Sequence, residues 1–317
     1  MGAVSTNELR GRSFVSAADI TRDQANALFA RARELKAEIA EHRRHAEPPL
    51  IGRTLAMIFE KPSLRTRVTF ETGMTQLGGH AVYLAPADIR LGQRESVDDV
   101  AANLGRWVDG VVARTFSHAV IEELAAGAGV PVVNALSDAE HPCQALADYL
   151  TMLEHLGRLE GVQLVFVGDG NNVWHSLALL GATLGVHVRL ACPPGFGGDP
   201  AILQRARATA ATTGSRIEVL DDSRAALVGA DVVYTDVWAS MGQEEEAAER
   251  ARIFARYQLN EELLAGAPPG ALVMHCLPAH RGEEITSAVL DGPRSIVLDQ
   301  AENRLHAQKA LLEALLA

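Results

Sequence analysis

Three cysteines in 317 residues, Cys143, Cys192 and Cys276, are too few and odd in number for a disulfide framework. No Cys-x-x-Cys pair occurs, so a zinc knuckle is not indicated either. Long apolar runs are missing, and with them any stretch able to span a membrane. The first fourteen residues are polar and hold no apolar signal core. Basic residues are the minority, with 29 Lys and Arg against 40 Asp and Glu, a net charge of −11. That balance argues against a nucleic-acid coat but leaves room for a local basic pocket. There is no repeat at solenoid period and no low-complexity tract. These absences lead us to expect a cytoplasmic protein that works without nucleic acid or membrane as a partner.

What is present is ordinary for a globular chain: 48% hydrophobic residues, 22% charged, and length enough for two domains. Helical and strand patterns alternate. Residues 21–45 read as an amphipathic helix capped by Thr21 and ended by Pro48-Pro49. Strand patterns at 54–59, 80–84, 108–113 and 132–134 alternate with helical ones at 65–77, 97–106 and 119–126. A long helix at 142–156 follows, and then a second series of strands at 163–167, 187–191, 217–220, 232–234, 272–274 and 296–298. The predicted fold is α/β: two three-layer domains, each a mostly parallel sheet flanked by helices. We expect domains at 1–147 and 148–317, with a C-terminal helix at about 300–317 free to pack back on the first.

The densest chemistry lies in Phe59-Glu60-Lys61-Pro62-Ser63-Leu64-Arg65-Thr66-Arg67. An apolar strand stops at Pro62, and Ser63 opens a helix with two arginines in its first turn. A helix N-terminus already carries unpaired N–H groups and partial positive charge, so arginines there are unfavourable unless an anion sits among them. Ser63 suits the cap and Pro62 the entry. The predicted result is a phosphate-sized anion site of amides, hydroxyls and guanidinium forks; the plainer alternative is a solvated basic turn.

Five more constellations accompany it. Arg114 closes a buried-looking strand, where α/β sheets place ligands, and is either another cation for the anion or a surface ion-pair residue. His141-Pro142-Cys143-Gln144 opens the long helix, offering an imidazole N–H for an oxyanion and an amide for a substrate amide, or else a plain cap. Gly168-Asp169-Gly170-Asn171-Asn172-Val173 looks like a dinucleotide fingerprint, but Val173 holds the third glycine position and no acidic residue follows at the end of the next strand. Its asparagines suit a polar, zwitterionic ligand instead. Asp236-Val237-Trp238-Ala239-Ser240-Met241-Gly242 supplies a carboxylate for an ammonium, and hydroxyl and amide groups for a carboxylate. The acids that follow, Glu244 to Glu246, read as dipole pairing at the start of a helix over 244–257. In His275-Cys276-Leu277-Pro278, alternation along a strand makes His275 and Cys276 a poor chelating pair, and Cys276 either lines a pocket or fills core.

Taken in order, these motifs resemble ornithine carbamoyltransferases over essentially the whole chain from Phe14, as does Leu91-Gly92-Gln93-Arg94-Glu95-Ser96. The resemblance implies a carbamoyl phosphate domain first and an L-ornithine domain second, in a homotrimer or an assembly of trimers. It implies that Ser63, Leu64, Arg65, Thr66, Arg67, Arg114, His141, Gln144, Cys276, Leu277 and Arg304 bind carbamoyl phosphate, with Arg90 reaching in from a neighbouring subunit. It implies catalytic roles for Arg65, Arg114, His141 and Cys276, and ornithine binding by Asn172, Asp236, Ser240 and, through its backbone, Met241. No metal and no organic cofactor is expected. Two departures stand out. Leu64 replaces a threonine common in the family, and Arg90 stands where some relatives have histidine. Rival readings are a carbamoyltransferase for another amine such as putrescine or an acylated ornithine, an inactive paralogue kept as a binding protein, and a nicotinamide-dependent dehydrogenase resting on Gly168-Asp169-Gly170 alone.

Overall fold

Helix α1, Arg22–His42, starts where the sequence places it. Thr21 Oγ1 accepts from Gln24 N and Gln24 Oε1 accepts from Thr21 N, a reciprocal cap of the kind that stabilises a helix by about 1 kcal/mol. It ends at Arg43, in the left-handed region at φ 60°. This is a computed structural model, and it describes residues 6–89, 91–92, 94–239 and 244–317.

The chain divides into two compact units. One is Met1–Leu150 with Asn303–Ala317, and the other is Thr151–Glu302. In the first, β1 (Thr54–Phe59), α2 (Leu64–Gln76), β2 (His80–Leu84), α3 (Val97–Trp107), β3 (Gly110–Arg114), α4 (His118–Gly127), β4 (Val132–Leu136) and α5 (Pro142–Leu156, which runs on past Leu150) follow one another. The four strands are parallel in the order β2-β1-β3-β4. Inward residues of β1 and β3 such as Ala56, Ile58, Val111 and Ala113 pack on Val100, Leu104, Ile121 and Leu124 of α3 and α4. Helix α3 shows why these segments are amphipathic: Val97, Val100, Ala101 and Leu104 are buried, a spacing of three and four that gives one apolar stripe.

In the second unit, β5 (Gln163–Val167), α6 (Asn172–Leu184), β6 (His187–Ala191), α7 (Pro200–Thr213), β7 (Ile217–Leu220), β8 (Val232–Thr235), α8 (Ala247–Phe254) and β9 (Leu272–His275) build a parallel sheet in the order β7-β6-β5-β8-β9. Strand β5 is apolar and buried from Leu164 to Val167, as a strand covered on both faces is. Tyr234 stacks on Phe166 at 5.3 Å between centroids, and Trp174 lies against the same ring at 6.2 Å.

Two expectations need correction. Residues 296–298 are not a strand, because the C-terminal helix Val297–Leu316 begins among them. Strand-like pairing is confined to the bridge between Val273 and Ser295, in which Val273 N donates to Arg294 O and Ile296 N to Val273 O, before Gln300 N turns to Ile296 O and helix takes over. The helix expected over 244–257 is broken into a 3-10 turn at Glu244–Glu246, α8, and a second 3-10 turn at Ala255–Tyr257. Among the described residues, no helix is long and apolar enough to cross a membrane.

Candidate active site

Strand order fixes where ligands go. In the first sheet β1 connects to β2 on one side, and the chain then crosses to β3 on the other, so the gap beyond the carboxyl ends of β1 and β3 is the topological switch point. In the second, β5 has β6 on one side and β8 on the other. Each unit carries its polar motifs at this place.

In the first unit the ends of β1 and β3 are tied. Glu60 N donates to Arg114 O at 2.9 Å and Phe116 N to Glu60 Oε2 at 2.8 Å. Ser63 caps α2, its Oγ accepting from Thr66 N at 3.3 Å. Lys61, overlooked in the sequence, is buried with its ammonium 4.3 Å from the Phe116 ring centre. Arg114 is buried, which removes the surface ion-pair alternative. Its guanidinium is pulled down to about 10 by burial, then by the charges of Arg304 and Arg65. Its Nε has no hydrogen-bond partner among the described residues. Arg304, on the C-terminal helix, is buried and donates to Gln144 Oε1 and, at 3.4 Å, to Thr66 Oγ1. Gln144 Nε2 in turn donates to Asp148 Oδ1 at 2.8 Å. His141 is held well below the ordinary histidine value by burial and by Arg304, Arg114 and Arg65, so its imidazole is neutral at pH 7.

Like charges gathered around a buried neutral imidazole and a buried donor are costly unless an anion joins them. The structure thus brings Ser63, Arg65, Thr66, Arg114, His141, Gln144 and Arg304 together. It turns Leu64 outward, 75% exposed. Arg67 is also on the outer side, 2.9 Å from Glu71 Oε1 and 3.8 Å over the Tyr83 ring.

In the second unit Asp236 follows β8 and is buried. Its Oδ2 accepts from Asn171 Nδ2 at 2.8 Å, and its Oδ1 from Val237 N at 2.8 Å and from the Cys276 thiol at 2.9 Å. Asn171 also caps α6, so it serves Asp236 and the helix at once, while Asn172 is the first helical residue and half-buried. The N-cap preference of asparagine would have singled out Asn171. Asp169 is pushed up by burial, an effect opposed by Arg250, whose Nη1 lies 2.7 Å from Asp169 Oδ2. The Gly168-Asp169-Gly170 run has a structural use. A Cβ on Gly170 would sit 2.3 Å from Gly198 N and 2.6 Å from Phe196 O, so the glycine admits this chain's own backbone where a dinucleotide fingerprint admits a pyrophosphate.

Cys276 is half-exposed at the end of β9, and Leu277 adopts a left-handed φ of 58°. One donor atom from each of Asp236, His275 and Cys276 lies within 4.8 Å of the others, closer than strand alternation suggested for the last two. Both His275 ring nitrogens are engaged, Nδ1 accepting from Leu277 N at 2.9 Å and Nε2 bonded to Glu284 Oε1 at 3.0 Å, so the ring is not offered to a metal. Arg90, Ser240 and Met241 lie outside the described residues.

Comparison with known proteins agrees with this layout. The family profile described as aspartate/ornithine carbamoyltransferase, carbamoyl-P binding domain, matches residues 12–154, and the one described as its Asp/Orn binding domain matches residues 160–315. The chain is 49% identical over 316 residues to an ornithine carbamoyltransferase of Anoxybacillus flavithermus, covering 100% of both chains. It is 51% identical to one of Thermococcus kodakarensis, covering 96% of each. Among solved structures, ornithine carbamoyltransferase from Pyrococcus furiosus superposes with a TM-score of 0.94 at 49% identity, covering 97% of this chain and 98% of that one.

Proposed function

The chain belongs to the aspartate/ornithine carbamoyltransferase family, and we propose that it transfers the carbamoyl group of carbamoyl phosphate to the side-chain amine of L-ornithine, giving L-citrulline and phosphate. The observation that carries this is the cluster of Arg65, Arg114 and Arg304 around neutral His141, a site for an anion that also needs a donor for a carbonyl oxygen. Carbamoyl phosphate is such a molecule.

In this reading Ser63, Arg65, Thr66 and Arg67 hold the phosphate, with Arg114 and Arg304 beside it. His141 donates to the carbamoyl oxygen, and Gln144 binds the carbamoyl NH2. In the second unit Asn172, Asp236, Ser240 and Met241 hold the amino-acid end of ornithine, and Cys276 and Leu277 lie beside the reacting amine. Ornithine's side-chain ammonium first loses a proton, since it has no lone pair; a desolvated pocket lowers an amine's pKa. The free amine attacks the carbamoyl carbon. A C–N bond forms, and negative charge collects on the former carbonyl oxygen, where Arg65, Arg114 and His141 donate. The C–O bond to phosphorus then breaks, and the amine's surplus proton ends on the departing phosphate. Holding both substrates in register supplies much of the remaining acceleration.

The active form is a homotrimer or an assembly of trimers working in the cytoplasm, a reading supported by the family resemblance and open to test by sedimentation velocity. The decisive experiment measures citrulline formed from carbamoyl phosphate and ornithine, beside putrescine and N-acetylornithine. Turnover with ornithine alone is expected. Turnover only with another amine would overturn the acceptor, and none from folded protein would favour a binding role.

A further inference from the structure

Glu284 is a fully buried carboxylate that the reaction as described does not use. Its Oε1 is bonded to His275 Nε2 at 3.0 Å and accepts from His280 N at 2.6 Å. The same His275 ring accepts from Leu277 N through Nδ1 at 2.9 Å. An Nδ1 that accepts an N–H leaves the proton of a neutral ring on Nε2, pointing at Glu284. The carboxylate therefore fixes the tautomer, and the tautomer fixes the turn. Leu277 sits at φ 58°, a conformation unfavourable for a branched residue unless its surroundings hold it. Between the two anchored residues, Cys276 directs its thiol to Asp236 Oδ1 at 2.9 Å.

We infer that Glu284, acting through His275, is a positioning residue that sets the Cys276–Leu277 turn against Asp236 and so shapes the amine-acceptor half of the site. For the identity of the amine the inference rests on the proposed ornithine reading; for the turn itself it rests on geometry alone. Glu284 touches no substrate in this arrangement. It joins the start of the loop, at the His275 ring, to its far end, at the His280 amide.

The test pairs kinetics with thiol labelling. Glu284→Ala removes the acceptor, and loss of a buried partner of this kind should cut kcat/KM for ornithine about tenfold or more while the Kd for inorganic phosphate, which needs only the arginine cluster of the other unit, stays within about twofold. Glu284→Gln keeps an oxygen for both donors and should restore most of the loss. His275→Gln keeps a donor toward Glu284 but drops the acceptor for Leu277 N, and should reproduce the ornithine-side defect if Glu284→Ala does not fold. Labelling by iodoacetamide, read by mass spectrometry, reports the turn without any substrate. Cys143 and Cys192 are buried and their thiols pushed up to about 12, so Cys276 is the reactive one. Freed from its bond to Asp236, it should label about threefold faster in Glu284→Ala and at the parental rate in Glu284→Gln. Unchanged labelling and ornithine kinetics in folded Glu284→Ala would overturn the inference, as would an equal loss of affinity for inorganic phosphate. If the parental chain made no citrulline, the ornithine reading would fall, and the labelling would still decide the positioning role.

Discussion

The two units place their polar residues at the same point of the same kind of sheet, yet the sites carry opposite charge. Beyond β1 and β3 stand Arg65, Arg114 and Arg304, with the nearest buried acid in their hydrogen-bond chain, Asp148, set behind Gln144. Beyond β5 and β8 stand Asp236 and Asp169, with one guanidinium, Arg250, against Asp169. Topology decides where a ligand can lie, and the few residues of each loop decide its charge. The cationic site has buried charges facing one another, so it is poised for an anion. The acidic site already has its carboxylate filled by Asn171, Val237 and Cys276, so it is preorganised rather than strained.

The sharpest way to break this contrast is to remove charge from the first site. Arg65→Ala should lower kcat/KM about 100- to 1000-fold, the usual cost of a donor aimed at developing charge, with carbamoyl phosphate binding lost alongside. Near-normal kcat/KM in this variant would refute the anion site. Removing charge from the second should act on the other substrate. Asp236→Ala should raise the ornithine KM about 10- to 100-fold, as expected for a hydrogen bond to a charged group, and leave carbamoyl phosphate binding in place. An unchanged ornithine KM would count against the ammonium pairing.

How much of this was readable beforehand follows the same division. Local rules wrote Thr21, Ser63 and Pro142 into their helix starts, and β-branched runs wrote the strands, because those signals depend on neighbours in sequence. The strand expected at 296–298 failed because pairing with β9 stops at the bridge between Val273 and Ser295 and the helix begins at Val297. At the sites, residues beside Gly or Pro punctuation stood out. Lys61 and Glu284 did not, since their importance comes from burial against Phe116 and His275, which only the folded chain reveals. Asp236 was legible as a carboxylate after a strand, but its bond to Asn171, 65 positions away, was not.

The contrast can also be read by pH. His141 is depressed below its unfolded value by burial and three cations, so the unfolded chain binds its proton first as pH falls. The stability this represents is present above the ordinary histidine value of about 6.5 and drains away below it, at no more than about 1.4 kcal/mol per pH unit. Urea titrations at pH 7, 6 and 5 should show that decline, and His141→Asn should flatten it. Saturating phosphate, which offsets the cations, should also shallow the slope. A decline unaffected by either would mean the arginines do not govern this imidazole.

The smallest expected effect concerns Arg67, whose place in the anion site is the least direct. Its guanidinium is engaged with Glu71 and the Tyr83 ring, both part-exposed. To reach a phosphate it must give up an ion pair of the exposed kind, worth about 0.2–1 kcal/mol. Glu71→Ala removes that competitor in advance. If Arg67 joins the anion, the KM for carbamoyl phosphate should fall about 1.5- to 5-fold, the range that this energy sets, with the ornithine KM unmoved. The gain should vanish when Arg67→Ala is added, because no guanidinium is then released. A rise in the KM, or a gain that survives the double substitution, would assign Arg67 to the outer face of α2 and confine the anion to Arg65, Arg114 and Arg304.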